Sequence, residues 1–366
     1  MKTDLISIII PVYNRPTLVA EAIDSVLAQT NPNWELIVVD DGSKDNTWEV
    51  LESYAVKDER IRIFKRDREP KGAPVCRNIG MENSTGKYLI FLDSDDLLAP
   101  WAIVNRLKYV CGSGDFDMLI FNGLEFDNSN IYLRKERAIF GVRNLLDYHI
   151  NYQAAWQTTC ALWNKSFFKK TGGWHEYSQS SQDSVLHLIA LYNGAIVKWG
   201  DEIPDLFIRV EKGFEKISNK NSIEKIKSRI NTLLYVKSKL KAEDFSVYSY
   251  FFVLDLINRL EYLDNKSLLV AIRKEIPEIE SFGHTRRLAF YFKLYTYSRS
   301  IRLLHGLVYR LRYFITKLPR LKNIRENSFI KDEIFDRLIE RAKDYPSIQN
   351  KVKVLRNDSL SIGDCS

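Results

Sequence analysis

At 366 residues the chain is long enough to bury a full core, and its length predicts two domains rather than one. Its 45 % hydrophobic and 28 % charged residues are those of a soluble globular protein, and no apolar run approaches the roughly 18 residues that cross a bilayer. The net charge of +7 conceals an asymmetry, because residues 1–220 carry 26 Lys+Arg against 30 Asp+Glu while residues 221–366 carry 28 against 17.

The opening "MKTDLISIIIPVYN" has only a short apolar core after Asp4 and no small-residue cleavage site, so it reads as a first strand and not as a signal peptide. Strands are predicted at Ile6–Val12, Glu35–Asp40, Ile61–Lys65, Tyr88–Leu92 and Asp117–Asn122. Helices are predicted between them at Thr17–Gln29, Asp45–Val56, Pro74–Asn83 and Ala99–Val110, several starting at proline and ending near glycine or asparagine. This alternation with short connections predicts an open α/β sheet. Beyond residue 150 the pattern predicts a strand Ala154–Trp163, a Gly-rich loop "TGGWHEYSQSS", a helix Gln182–Tyr192 and strands Ala195–Trp199 and Asp205–Val210. From about Asn221 onward apolar residues recur at three-and-four spacing, which predicts a helical region.

The four cysteines and five histidines are scattered and form no zinc-like spacing or disulfide framework, so any metal is expected to be held by oxygen in a reducing cytoplasm. In open α/β sheets ligands sit at the carboxyl ends of strands. Here those ends read "PVYNR", "VVDDGSKDNT" and "YLIFLDSDDLL", placing Asp40, Asp41, Asp93, Asp95 and Asp96 at one edge. Asp95 and Asp96 could simply cap the following helix. Alternatively, Asp93 and Asp95 project into one cleft and bind a divalent cation that neutralises a diphosphate. A dinucleotide fold fails because no Gly-x-Gly-x-x-Gly turn follows the first strand. A haloacid-dehalogenase-like phosphatase would place its nucleophile after the first core strand, not the fourth.

The segments "SIIIPVYNR", "ELIVVDDGSKDNT", "GAPVCRNIGMENSTGKYLIFLDSDD" and "GGWHEYSQSSQDSVLHLIALYNG" together resemble the family 2 glycosyltransferases, over roughly residues 5 to 210. The resemblance implies a GT-A (Rossmann-like) α/β domain and an inverting, nucleotide-sugar-dependent, metal-dependent enzyme. It implies that Pro11, Tyr13 and Arg15 line the nucleotide pocket, with Tyr13 stacking on the base. Asp40 and Asp41 would meet base and ribose, and Arg77 and Asn78 would sit beside the donor. Asp95 would be the direct ligand of Mn2+ or Mg2+, Asp93 would bind ribose or a metal water, and Asp183 would be the base that deprotonates the acceptor. Arg209 matches an arginine near the diphosphate, although Glu211 stands where many relatives have histidine. Trp174 would offer a flat face to an acceptor sugar or else anchor its loop.

The expected division is a GT-A domain over residues 1–220 and an α-helical basic region over 221–366. Between Ser281 and Arg325 there are eleven Lys or Arg and no acid, interleaved with aromatic residues and leucine, a pattern suited to an anionic membrane surface. No nucleic-acid motif accompanies the charge, so nucleic acid is not an expected partner. The expected partners are a nucleoside-diphosphate sugar, in the first place a UDP-sugar, a saccharide or lipid-linked acceptor, and the inner face of a bacterial membrane where cell-surface polysaccharide is made. The competing reading is a non-catalytic nucleotide-sugar-binding or scaffolding protein that keeps the fold.

Overall fold

A computed structural model of the protein describes residues 4–126, 144–150, 154–179, 181–210, 223–245, 248–249, 252 and 332–342. The first strand, β1 (Ile6–Val12), is buried along its whole length, as is β2 (Trp34–Asp40), because each is flanked by strands and covered on both faces. They pair in parallel from Ile6 opposite Trp34 to Val12 opposite Asp40. On the far side of β2 lies β3 (Ile61–Lys65), and on the far side of β1 lies β4 (Tyr88–Phe91), both parallel. The connecting helices are α1 (Pro16–Leu27), α2 (Thr47–Lys57) and α3 (Ala73–Asn83). Helix α1 buries Val19, Ala22, Ile23 and Val26, the three-and-four spacing of an amphipathic face. Helix α3 lies close on β1, since a Cβ built at Gly80 would come within 2.4 Å of Ile9 Cγ2.

Beyond β4 the order departs from a simple alternation. A short strand β5 (Leu97–Leu98) precedes α4 (Ala102–Gly112), so the helix starts later than its sequence pattern predicts. The predicted strand Asp117–Asn122 shortens to β6 (Met118–Ile120), and a further strand that the sequence pattern did not predict, β7 (Gly123–Phe126), follows it. Helix α5 (Leu145–Ile150) follows, and the predicted strand Ala154–Trp163 becomes a 3-10 turn at Thr158–Cys160 followed by β8 (Ala161–Asn164). Next come α6 (Lys165–Lys170), α7 (Gln182–Tyr192), β9 (Val197–Trp199) and β10 (Leu206–Arg209). The large sheet has the order β3-β2-β1-β4-β8-β6-β9, with β8 antiparallel to both neighbours, and β5-β10-β7 form a second sheet. This is the expected α/β class. The region after residue 220 is represented by helices α8 (Ile223–Lys239) and α9 (Asp332–Ala342). The basic stretch 281–325 lies outside the described residues.

Two carboxylates hold this framework from inside. Glu35 on β2 accepts from Ser7 Oγ at 2.6 Å, Thr85 N at 2.5 Å and Gly86 N at 3.0 Å, tying the amino-terminal ends of β1, β2 and β4 together. Burial alone would raise its pKa, but these donors outweigh it and hold the carboxyl below its usual range. Asp205, just before β10, receives Arg106 of α4 through Nε at 3.0 Å and Nη2 at 2.8 Å, and both side chains are fully buried. Glu35 thereby closes the amino-terminal edge, Asp205 fixes α4 to the second sheet, and the carboxyl-terminal ends of β2, β1 and β4 stand side by side at the other edge.

Candidate active site

The loops after β1 and β2 are stitched to each other. Asn14 takes a left-handed conformation, with φ 50°, its N–H donating to Ser43 Oγ at 2.9 Å while its Oδ1 accepts from Lys44 N at 2.8 Å. Asp40 turns onto its own loop, accepting from the backbone N–H groups of Gly42 and Ser43 and from the Ser43 hydroxyl. Asp41 accepts from Arg66 Nε at 2.6 Å and from Gly72 N at 3.2 Å, which fastens the segment before α3 to the end of β2. Tyr13 is partly exposed, and Lys71 Nζ lies 3.4 Å from the centre of its ring. The Lys71 hydrogen bond and charge lower the pKa of the Tyr13 phenol.

After β4 the loop Asp93–Asp96 divides its acids between two tasks. Asp96 is buried and accepts from Arg209 N at 3.0 Å, while Arg209 Nε donates to the Asp95 carbonyl at 3.0 Å and its Nη2 pairs with Glu21. Arg209 therefore braces the loop from behind. Asp93 and Asp95 keep about a third of their side-chain surface, 29 % and 32 %. Asp95 Oδ2 lies 2.8 Å from Arg15 Nη1, and Asp93 Oδ1 lies 2.6 Å from Arg77 Nη2.

Arg77, on α3, is the centre of the cleft. Its Nη1 donates to Gln182 Oε1 at 2.8 Å, its Cζ sits 4.5 Å from the Trp174 ring, and its buried Nε has no hydrogen-bond partner among the described residues. One side chain thus joins the end of β4, the Gly-rich loop and the start of α7. Asp183 occupies the first turn of α7, after Ser181 in a left-handed conformation. Burial pushes the Asp183 carboxyl up, opposed by the Ser184 N–H bond and by Arg77 and assisted by the charge on Asp93. The Arg77 and Asp93 influences place all three groups in one electrostatic neighbourhood.

Three sequence-derived positions are engaged by the protein itself, and of the two readings of Trp174 its burial favours the loop anchor. Trp174 is only 2 % exposed and meets Phe91 edge-on at 5.2 Å, so its face is covered by protein and is not open to an acceptor. The apolar ring is worth more inside the core than on the surface. Asn78 is spent on the same loop: its amide donates to the Trp174 carbonyl at 2.9 Å and Glu176 at 3.0 Å, and its Oδ1 accepts from Trp174 N at 3.0 Å. It shapes the loop. Pro11 is buried inside β1, opposite Val39. Sequence reasoning missed Lys71, Arg66, Glu176 and Gln182, whose roles come from contacts 25 to 108 residues away or from a ring that folding brings near; only the charge density of "KRDREPK" signalled the first two.

The donor set offered by Asp93 and Asp95 is all oxygen, which would suit a hard divalent cation. Each carboxylate gives one oxygen to an arginine, and among the described residues no group of three or more His, Cys, Asp or Glu is placed to hold an ion. The protein side of such a site would therefore be these two acids.

Comparison with known proteins gives three results. Residues 7–162 match the family description Glycosyl transferase family 2. An uncharacterized glycosyltransferase of Rickettsia felis is 49 % identical over 105 residues, 29 % of this chain and 17 % of the relative. The UDP-Glc:alpha-D-GlcNAc-diphosphoundecaprenol beta-1,3-glucosyltransferase WfgD of Escherichia coli is 38 % identical over 138 residues, 37 % of this chain and 49 % of the relative. The matched segment thus spans less than half the length of either relative. Among solved structures, S. aureus TarS 1-349 in complex with UDP-GlcNAc superposes with a TM-score of 0.55 at 14 % identity, covering 98 % of this chain and 92 % of that one. At that identity the likeness concerns the fold.

Proposed function

Through residues 7–162 this chain belongs to glycosyl transferase family 2, and from that premise we propose that it is an inverting glycosyltransferase. It transfers a sugar from a nucleoside-diphosphate sugar to a hydroxyl of a saccharide or lipid-linked acceptor. The observation that supports this reading is the bridge made by Arg77 between Asp93 at the end of β4 and Gln182, the chain neighbour of Asp183.

In this reading Asp93 and Asp95 hold Mn2+ or Mg2+, Asp95 directly, and the cation would supply positive charge for the departing diphosphate. Tyr13, Arg15, Asp40 and Asp41 border the nucleotide. Arg77 sits where negative charge grows as the bond to the diphosphate lengthens, already oriented by its neighbours. Asp183 takes the proton from the acceptor hydroxyl as that oxygen attacks the opposite face of the anomeric carbon, and one displacement inverts the configuration. Its raised pKa makes it a better proton acceptor than an exposed carboxylate.

The proposed setting is bacterial cell-surface polysaccharide synthesis, supported by WfgD, whose name specifies a UDP-sugar donor and a diphosphoundecaprenol-linked acceptor. Attachment to the inner membrane face through 281–325 rests on the charge pattern alone; among the described residues no helix is long and apolar enough to cross a membrane. The division into a catalytic part, 1–220, and a helical part, 221–366, belongs to the same proposal. Thermal stabilisation by a panel of nucleotide sugars, with and without manganese, tests it. One nucleotide sugar should raise the melting temperature, more so with manganese, and stabilisation by none of them would overturn the reading.

A further inference from the structure

The segment from Trp174 to Gln182 begins and ends at Arg77, the Trp174 ring 4.5 Å from its Cζ and Gln182 Oε1 2.8 Å from its Nη1. Between those ends residues 175–179 are pinned to α8. The Ser228 hydroxyl donates to the Tyr177 carbonyl at 2.9 Å and accepts from Gln179 N at 2.7 Å, and Ser178 Oγ shares a 2.7 Å hydrogen bond with Thr232 Oγ1. His175 stacks on Tyr235 of α8 with ring centroids 4.0 Å apart and planes 15° apart, and its Nδ1 lies 2.9 Å from Ser178 Oγ. Glu176 is held by Arg68 at 2.9 Å.

On this fixed backbone one ring faces water. Tyr177 is 59 % exposed, and among the described residues no other aromatic side chain is classed as exposed. Core packing does not account for it, since Trp174 and the His175–Tyr235 stack already anchor the loop. A tyrosine on a pre-ordered backbone offers a rigid flat face with a polar tip at little entropic cost. Its Cα is at most about 11 Å of chain from that of Trp174, whose ring meets Arg77, so a short saccharide held on its ring extends toward Arg77.

We propose that Tyr177 is the acceptor platform of the site, packing its ring against the apolar face of a pyranose whose hydroxyls meet the polar rim of the loop, Glu176 and Gln179. The inference rests on the glycosyltransferase reading and deepens it: the loop receives a sugar through Tyr177, the face of Trp174 being covered. A single ring with polar neighbours suits one sugar unit, whereas a lipid chain or protein partner would call for a contiguous apolar patch.

The test is binding of plain saccharides to the full chain by saturation-transfer NMR in the presence of UDP. The probes are methyl glycosides of glucose, galactose, mannose and N-acetylglucosamine, and β-linked disaccharides of the same sugars. At least one should bind the wild type, bind Tyr177→Phe and Tyr177→Trp with similar affinity, and bind Tyr177→Ala at least tenfold more weakly. Val56→Ser, at a residue 89 % exposed on α2, should change nothing. Absence of binding to the wild type by every probe, or equal binding by Tyr177→Ala, overturns the platform. Calorimetric titration with UDP on the same samples separates the two levels. Saccharide binding through Tyr177 without nucleotide binding would refute the transferase reading alone, and nucleotide binding with saccharide affinity indifferent to Tyr177 would refute the platform alone.

Discussion

Two arginines, Arg106 in the interior and Arg77 in the cleft, both hold an aspartate, and their surroundings differ in one respect. Arg106 and Asp205 are fully enclosed, and the guanidinium also reaches the Thr159 carbonyl at 3.2 Å, so the pair is satisfied within the protein. Arg77 is nearly as buried, but its aspartate keeps 29 % of its side-chain surface and its Nε has no partner among the described residues. The first pair fixes how α4 meets the small sheet. The second leaves a carboxylate open to solvent beside a charge that is held in place, which is what a ligand site requires and a core does not. Burial of the partner, more than the arginine's own burial, separates structure from chemistry here.

The largest effect expected is on the cleft side. Asp183→Asn should lower turnover by about 10²–10⁴-fold with donor affinity kept. Because burial raises the Asp183 pKa, activity should fall with decreasing pH at a higher pH than an ordinary carboxylate gives, and the variant should lose that acid limb; steady-state kinetics across pH checks both. Loss of donor affinity with turnover retained would move Asp183 to the donor site. Next in size is Asp205→Ala, which strands a buried guanidinium and should cost about 3–5 kcal/mol in urea unfolding. Asp93→Ala should cost about 1 kcal/mol or less and still abolish transfer. The contrast between the two pairs collapses if these two stability losses are equal.

A smaller effect distinguishes two neighbouring glycines. Gly172 and Gly173 both have positive φ, 89° and 72°, so alanine at either should cost about 1–2 kcal/mol. Only at Gly173 would the new Cβ come within 2.8 Å of Asn78 Oδ1. Gly173→Ala should therefore be the less stable of the two in urea and should reduce transfer more, because it displaces the loop that Asn78 shapes.

The smallest effect at neutral pH concerns His149 and His187, which are buried against each other and against Trp156, with both ring nitrogens of His187 unpartnered among the described residues. Burial pulls His149 down to about 4 and His187 well below its ordinary value. Both are neutral in the folded state and take up protons near pH 6.5 once unfolded, so their contribution is complete above that pH and is lost as pH falls. His187→Phe should reduce the slope of stability against pH between about 6.5 and 5 by as much as about 1.4 kcal/mol per unit. An unchanged slope in urea titrations at several pH values would show that other groups control the acid limb.

The sequence by itself determined the strands of the first half and their order of use. Runs such as "ISIIIPV" and "ELIVVD" can only be covered on both faces, and acids directly after them can only be tolerated at a solvated strand end. The helix Gln182–Tyr192, with Asp183 in its first turn, was legible to the residue, because its apolar period and loop boundary are local. Tertiary structure alone decided the rest. The reversal of β8, the second sheet and the division of Ala154–Trp163 depend on partners distant in the chain, such as Met118 opposite Trp163 and Leu98 opposite Leu206. No local signal distinguishes Trp174 from Tyr177 in "GGWHEY", two aromatic residues three positions apart. Phe91, Phe168 and Asn78 enclose the surroundings of the first, while α8 holds the backbone of the second and leaves its ring in water. Periodicity and charge report what a residue prefers; which of two similar residues is buried is settled by the shape of the space that distant segments leave for it.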